Sequence, residues 1–367
     1  MKLRRLTGLL LSLVLLFCTG CSQSAAPRSA PSPTAEEQAL SSPPETPAEA
    51  PSDQQAEETV SAEKNAPAPA QEASFTLCAY LPVSSMTQGA AAVAEEYAGS
   101  IAALDYLVLN TGAYWDENGA LSLSDELLDA IETLQGKTAL WCTVNPQGAL
   151  IREGTAGQSI DSPQERQALA QEIAAFAEQY GLAGIDIDWE FPLDDEWEDF
   201  STFLIALKDT LSRSSEPVAL SLALYPEEIA LSEEAIAALD RIHMMAYDQF
   251  DSEGFHSTMQ AAEDAVAYFT ALGASPQQLV LGIPAYGRPL DGSAQWVFYK
   301  DIEPESISGE NPDLVGDISF NSTATAAQKT QYALEQNLGG VMVYQLLCDR
   351  NDQDALILAC ANMAENA

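Results

Sequence analysis

The sequence predicts an α/β domain closed as a (β/α)8 TIM barrel, and three observations carry that expectation. Eight short apolar or β-branched runs alternate with helical stretches; the alternating region is roughly 290 residues long, the size of one such barrel; and no glycine-rich nucleotide fingerprint follows the first run. The runs are FTLCAYL from Phe75, DYLVLN from Asp105, TALWCTV from Thr138, GIDIDWE from Gly184, PVALSLAL from Pro217, IHMMAY from Ile242, LVLGIPAY from Leu279 and GGVMVYQL from Gly339. Between them, residues 162–180, 194–213, 257–272 and 323–336 space their apolar side chains at helical period, and several begin at Ser, Thr or Asp as capped helices do. A doubly wound open sheet alternates in the same way, and the count of eight favours closure. Only about fifty residues separate the last two runs, too few for a large inserted α+β domain, so any cleft should be shallow and open.

Two leading segments precede this region. Lys2, Arg4 and Arg5 stand before an apolar run from Leu9 to Phe17 that is too short to span a bilayer, the pattern of a secretion signal over residues 1–20. The run ends in Cys18-Thr19-Gly20-Cys21, which resembles the lipobox of bacterial lipoproteins, so Cys21 is the expected lipidation site; Cys18 takes the place where lipoboxes usually carry Leu. The expected location is a bacterial cell surface, lipid-anchored, with free secretion after ordinary cleavage as the alternative. Residues 21–74 contain no aromatic side chain and are dominated by Pro, Ala, Ser and Glu, a disordered tether of roughly 40 Å mean reach. The folded region is then 75–367.

The chain of 367 residues carries 15 Lys+Arg against 55 Asp+Glu, a formal net charge of −40. A nucleic-acid partner is excluded, because a phosphate backbone requires a basic footprint. After Ser74 there are 46 acids and 10 bases, so the deficit belongs to the barrel and should repel anionic polymers while tolerating neutral sugars. Cys78, Cys142, Cys348 and Cys360 lack CxxC spacing, and only His243 and His256 accompany them. No metal site is expected, and the cysteines read as buried free thiols, although secretion permits a disulfide.

The chemistry concentrates on the fourth run. In Gly184-Ile185-Asp186-Ile187-Asp188-Trp189-Glu190, strand alternation puts Asp186, Asp188 and Glu190 on one face, about 6.6 Å apart in succession. Coupled carboxyls raise one another's pKa, and an acid so raised can protonate a glycosidic oxygen. A solvated acidic face is the alternative, but barrel strands are covered on both faces. Acids on one strand approach a scissile bond from one side, whereas the ordinary two-carboxylate glycosidase flanks it. A substrate with a 2-acetamido group could supply its own carbonyl oxygen as nucleophile.

GIDIDWEFP, MMAYD and LVLGIPAYGRP together resemble glycoside hydrolase family 18, the chitinases and endo-β-N-acetylglucosaminidases, over the span Phe75 to about Asp349. The resemblance implies a retaining hydrolase of glycans containing β-linked N-acetylglucosamine, acting by substrate assistance through an oxazolinium intermediate, without cofactor. It implies Glu190 as general acid and base, Asp188 as the holder of the acetamide nitrogen, Asp186 as its tuner and Tyr247 as donor to the acetamide carbonyl. Asp248, Tyr286, Arg288, Tyr344 and Trp115 are the substrate-binding candidates; Tyr114, Trp197 and Trp296 are further aromatics that could stack on sugars or pack. His256, in the segment GFHS, is expected to be a loop hydrogen-bonder.

The chain departs from the family pattern at three places: Ala183 replaces the first Asp of D-x-x-D-x-D-x-E, the third strand lacks SxGG, and Tyr344 stands where chitinases carry a Trp. These departures motivate two alternatives: a non-catalytic carbohydrate-binding lipoprotein, and, because of the tether, a peptidoglycan-lytic enzyme. The expected partner is an N-acetylglucosamine glycan, the expected assembly a monomer, and the only expected membrane contact an N-terminal lipid anchor.

Overall fold

The computed structural model describes residues 75–303 and 311–367. The signal segment, Cys21 and the tether lie outside the described residues. Eight parallel strands close on themselves: β1 (Thr76–Pro82), β2 (Tyr106–Trp115), β3 (Ala139–Pro146), β4 (Gly184–Ile187), β5 (Ala219–Leu224), β6 (Arg241–Met244), β7 (Leu279–Pro284) and β8 (Gly340–Tyr344). Each pairs with its neighbours in chain order, and β1 bonds to both β2 and β8, so the sheet has no open end. All eight strands coincide with the eight runs in the sequence.

The helices facing the sheet are α1 (Ala90–Glu96), α2 (Asp125–Leu134), α3 (Pro163–Tyr180), α4 (Trp197–Leu211), α5 (Glu233–Ala238), α6 (Met259–Ala271), α7 (Thr323–Glu335) and α8 (Leu356–Glu365). Hydroxyl caps start five of them. Ser124, Ser162, Ser232, Thr258 and Ser322 each accept a backbone N–H of the first turn, and Ser162 completes a capping box with Glu165 ahead of Pro163. α1, α4 and α8 have no such cap, and of these α4 is anchored differently. Its N-cap residue Glu196 instead accepts the N–H groups of Gly157 at 2.8 Å and Leu193 at 2.7 Å, tying down the loop that follows the acid-bearing strand.

Strand alternation divides the core in two. Outward side chains such as Leu107, Ile185, Ile187, Leu222 and Val341 pack against the helices, whereas Cys78, Tyr80, Tyr106, Val108, Trp141, Val280 and Met342 form a separate set within the barrel. Two glycines make that interior possible. A Cβ on Gly184 would lie 2.2 Å from the Trp141 ring, and one on Gly282 would lie 2.3 Å from the Met244 carbonyl and 2.9 Å from the Tyr247 ring. Both strands therefore yield volume to large aromatics beside the site.

Between β7 and α7 the chain forms a small antiparallel sheet from Tyr286–Pro289, Val297–Phe298, Leu314–Val315 and Ile318–Ser319. It is not the large inserted domain whose absence the spacing predicts. It does, however, bring Tyr286, Arg288 and Trp296 to the mouth of the barrel. All four cysteines of the barrel are free and buried. Among the described residues no helix is long and apolar enough to cross a membrane.

Candidate active site

Asp186, Asp188 and Glu190 rise from the barrel interior to its C-terminal rim, where the active sites of this architecture sit. Asp186 is wholly buried. Its two oxygens accept the hydroxyls of Tyr80 at 2.9 Å, Thr143 at 3.0 Å and Ser221 at 2.6 Å, one from each of β1, β3 and β5. Three hydroxyl donors satisfy a carboxylate in a place without water. Thr143 supplies a hydroxyl on the strand that lacks SxGG, and two residues on Asn145 accepts the Asp188 backbone N–H at 2.8 Å.

Asp188 is half-buried, and its Oδ1 has no hydrogen-bond partner. Burial holds its carboxyl well above the ordinary carboxylate range, reinforced by the charges of Glu190 and Asp186 and by a hydrogen bond with Glu190. Glu190 is exposed as a residue, yet its carboxyl end is largely withdrawn from water. That desolvation raises its pKa, the Asp248 charge raises it further, and the hydrogen bond from Asp188 opposes both. Both carboxyls of the pair are thus shifted toward the protonated form, the direction that a proton-donating acid requires.

Tyr247 and Asp248 follow the end of β6 on the opposite side. The Tyr247 ring stacks on Tyr344 with centroids 5.6 Å apart and planes at 26°, and it meets Tyr286 edge-on at 6.3 Å. Asp248 adopts φ of 61°, accepts the Tyr286 hydroxyl at 2.7 Å and forms an ion pair with Arg288. Arg288 also lies over the Phe250 ring, 5.2 Å from its centroid. A clasp from α7 fixes this segment from behind. Lys329 donates to the Ser257 carbonyl at 2.7 Å and hydroxyl at 2.9 Å, and Ser257 in turn donates to the carbonyl of Ala246, the residue before Tyr247. His256 accompanies it as a buried loop residue, 3.2 Å from the Tyr286 carbonyl, with burial pushing its pKa down to about 3.

Tyr344 is half-buried and meets Tyr80, Tyr247 and Trp296. The aromatic floor expected of β8 is therefore present with a smaller ring. Unpartnered buried oxygens stand at the C-terminal ends of several strands: Asn110 Oδ1 on β2, Asp188 Oδ1 after β4, Gln249 Oε1 after β6 and Gln345 Oε1 after β8. Acceptors of this kind can take hydroxyl or amide N–H groups. A groove of about 360 Å3 bordered by Tyr225, Gln249, Phe250 and Tyr268 adjoins Asp248's loop.

Trp115 is a correction. It is 0% exposed, its Nε1 donates to Ser159 at 2.9 Å, and its ring meets Trp189 and Phe203. It packs under the helices and cannot touch a sugar. The β2–β3 register shifts between Leu109 and Ala113, with Thr111 at φ of 66°, and Trp115 lies on β2 beyond that shift with its ring turned toward the helices. Tyr114 lies nearer the acid row: its hydroxyl pKa is raised by burial and then by the Asp188 charge. Trp197 is also buried, as packing. Ala183 sits exposed at the entry of β4, bonded through its backbone to Leu140 and Ala219, at the opposite end from Glu190. Its replacement of Asp does not touch the cleft.

Sequence reasoning passed over Tyr80, Thr143, Ser221 and His243. The one available signal was that each occupies an inward position on a strand, where an apolar side chain would otherwise be expected.

Two adjoining carboxyls of raised pKa, Asp188 and Glu190, at the mouth of a closed (β/α)8 barrel and faced by a tyrosine, are the equipment of a glycosidase. The family described as Glycosyl hydrolases family 18 matches residues 154–349, and the chain belongs to that family. "Probable chitinase 2" of Drosophila melanogaster is 27% identical over 181 residues, covering 44% of this chain and 37% of that protein. "Endochitinase 1" of Metarhizium robertsii is 24% identical over 256 residues, covering 54% and 59%. The chain thus spans less than two thirds of the length of either relative. Among solved structures, the GH18 chitinase ChiB from the chitin utilization locus of Flavobacterium johnsoniae superposes with a TM-score of 0.68 at 22% identity, over 80% of this chain and 94% of that one, which supports the barrel fold.

Proposed function

We propose that the protein is an extracellular retaining hydrolase of neutral glycans containing β-linked N-acetylglucosamine, working by substrate assistance. One observation carries the reading: the acids stand together on β4 and the segment directly after it, while the carboxylate across the mouth, Asp248, is engaged by Arg288 and Tyr286 and is not free to attack. The nucleophile is then the substrate's own acetamide oxygen. It attacks C1 as Glu190 gives its proton to the leaving oxygen, forming an oxazolinium ion. Asp188, whose Oδ1 lacks a partner, accepts the acetamide N–H, and the Tyr247 hydroxyl donates to the acetamide oxygen. Glu190, now a carboxylate, takes a proton from the water that opens the ring at C1, and the anomeric configuration is retained. The relatives named as chitinases favour a chitin-type oligosaccharide.

The test is product analysis with chitooligosaccharide, N-glycan and peptidoglycan fragments, alongside an aryl N-acetylchitobioside. Release of β-configured N-acetylglucosaminides is expected. Oligomer binding without any product would instead indicate a binding protein, and turnover of wall fragments alone a lytic enzyme. The barrel's excess of acids weighs against an anionic wall polymer. We also propose surface anchoring through lipidated Cys21, checked by fatty-acid labelling that Cys21→Ser should abolish.

A further inference from the structure

His243 is one of only two histidines in the chain and is wholly buried inside the barrel. Nothing in the reaction above uses it. Its Nδ1 lies 2.7 Å from the Tyr80 hydroxyl and its Nε2 lies 2.9 Å from the Tyr106 hydroxyl, while Nδ1 is 3.4 Å from Asp186 Oδ1. Tyr106 stacks on Trp141 at 4.3 Å, which holds the far end of this chain rigid. The titratable and charged groups around the ring are Cys78 and Tyr80 from β1, Tyr106 from β2, Asp186 from β4 and Arg241 two residues earlier on β6.

The hydrogen-bond valences run in one direction. The Asp186 carboxylate only accepts, so the single Tyr80 proton points to Asp186. Tyr80 must then accept from His243, which requires a proton on Nδ1. In the neutral ring Nε2 then carries the lone pair and accepts the Tyr106 proton. The line Tyr106 to His243 to Tyr80 to Asp186 is satisfied by a neutral ring in one tautomer.

We propose that His243 is a positioning residue for the acid row: as the Nδ1–H tautomer it locks the Tyr80 hydroxyl onto Asp186 and so holds the Asp186 carboxylate in place beneath Asp188. The consequence for catalysis rests on the proposed function. Asp186 is one of the charges that hold the Asp188 carboxyl high. Without His243, Tyr80 is free to turn away, Asp186 loses one of its three hydroxyl donors and its fixed place beneath Asp188, its hold on the pair weakens, and the pair gives up its proton at lower pH.

Two measurements test this. In 15N-histidine-labelled protein, with His256→Gln used for assignment, the two-bond 15N–1H pattern of His243 should report an Nδ1–H ring from pH 6 to 8. An Nε2–H or doubly protonated ring would overturn the proposal whether or not the protein hydrolyses anything. In the pH profile of kcat/KM, His243→Phe should move the alkaline limb down by about one unit with KM within about twofold. Tyr80→Phe should move the same limb, the double variant should add little, and His243→Gln, whose amide can donate to Tyr80, should restore most of the shift. A pH-independent loss in all three variants would indicate packing alone and overturn it. An Nδ1–H ring in a protein inactive on every glycan would instead sink the substrate reading and leave the tautomer assignment supported.

Discussion

Tyr286 and Trp296 stack face to face, with ring centroids 3.8 Å apart and planes within 2°. The Tyr286 hydroxyl is taken by Asp248, so one pair of aromatics links the acid-pairing network to the rim of the barrel. Trp296 keeps 37% exposure, and its edge-on contact with Tyr344 at 6.3 Å places it beside the smaller aromatic floor of β8. This gives the site a second platform for a sugar face. Trp296→Ala should raise KM by about two- to tenfold, the range of one aromatic contact, with kcat nearly unchanged. An unaltered KM on chitooligosaccharides would remove Trp296 from the binding surface.

Glu190→Gln keeps shape and removes the transferable proton. Hydrolysis of a substrate with a poor leaving group should fall by about 10^2 to 10^4-fold, with an unchanged thermal midpoint. Activity close to that of the native protein would show that another group is the acid.

Asp248 lies near enough for its charge to raise the Glu190 pKa. Removing that charge stabilises ionised Glu190, so the acid loses its proton at lower pH. Asp248→Asn should therefore shift the alkaline limb of kcat/KM downward. The variant also leaves Arg288, 7% exposed, without its ion-pair partner, so stability should be followed in parallel. An upward shift would contradict the assigned electrostatics.

Lys329 is completely buried, and burial pushes its pKa from 10.5 down to about 7, with Asp313 pulling weakly the other way. Between these values the unfolded chain binds the proton and the folded one does not, so this group's contribution to stability rises with pH across the window and is lost as pH falls toward 7. Lys329→Met removes the ionisation, at the cost of leaving Ser257 without its donor. Relative to the native protein the variant should fare best near pH 6.5 and worst near pH 10, since each pKa unit is worth about 1.4 kcal/mol. Urea unfolding at the two pH values checks it; a pH-independent difference would mean that Lys329 is not charged and uncharged as described.

The legible part of this protein was its periodicity. Eight runs became eight strands; of the three acids Asp186 lies on β4, whereas Asp188 and Glu190 continue just past its end at Ile187. Trp115 lies beyond the second run, DYLVLN, where β2 continues past a register shift, and only the packing of the helices shows that its ring is turned away from the mouth. The departures at Ala183 and Tyr344 also carried different weight once placed. Ala183 lies at the far end of β4, whereas Tyr344 stacks directly on Tyr247.

Local sequence determined the strands, the helix caps, the acid row and its membership of a glycosidase family, because each depends on residues a few positions apart. Only the closed barrel decided what surrounds the acids. Tyr80 and Asp186 are 106 residues apart, and Tyr80 and His243 are 163 apart, yet they are bonded because β1, β4 and β6 point their side chains into the same enclosed volume. Closure removes water from that volume, and the carboxyls must then find donors from other strands or keep their protons. The sequence thus identified which carboxyls stand near one another, and the tertiary structure set which of them are pushed above the ordinary carboxylate range.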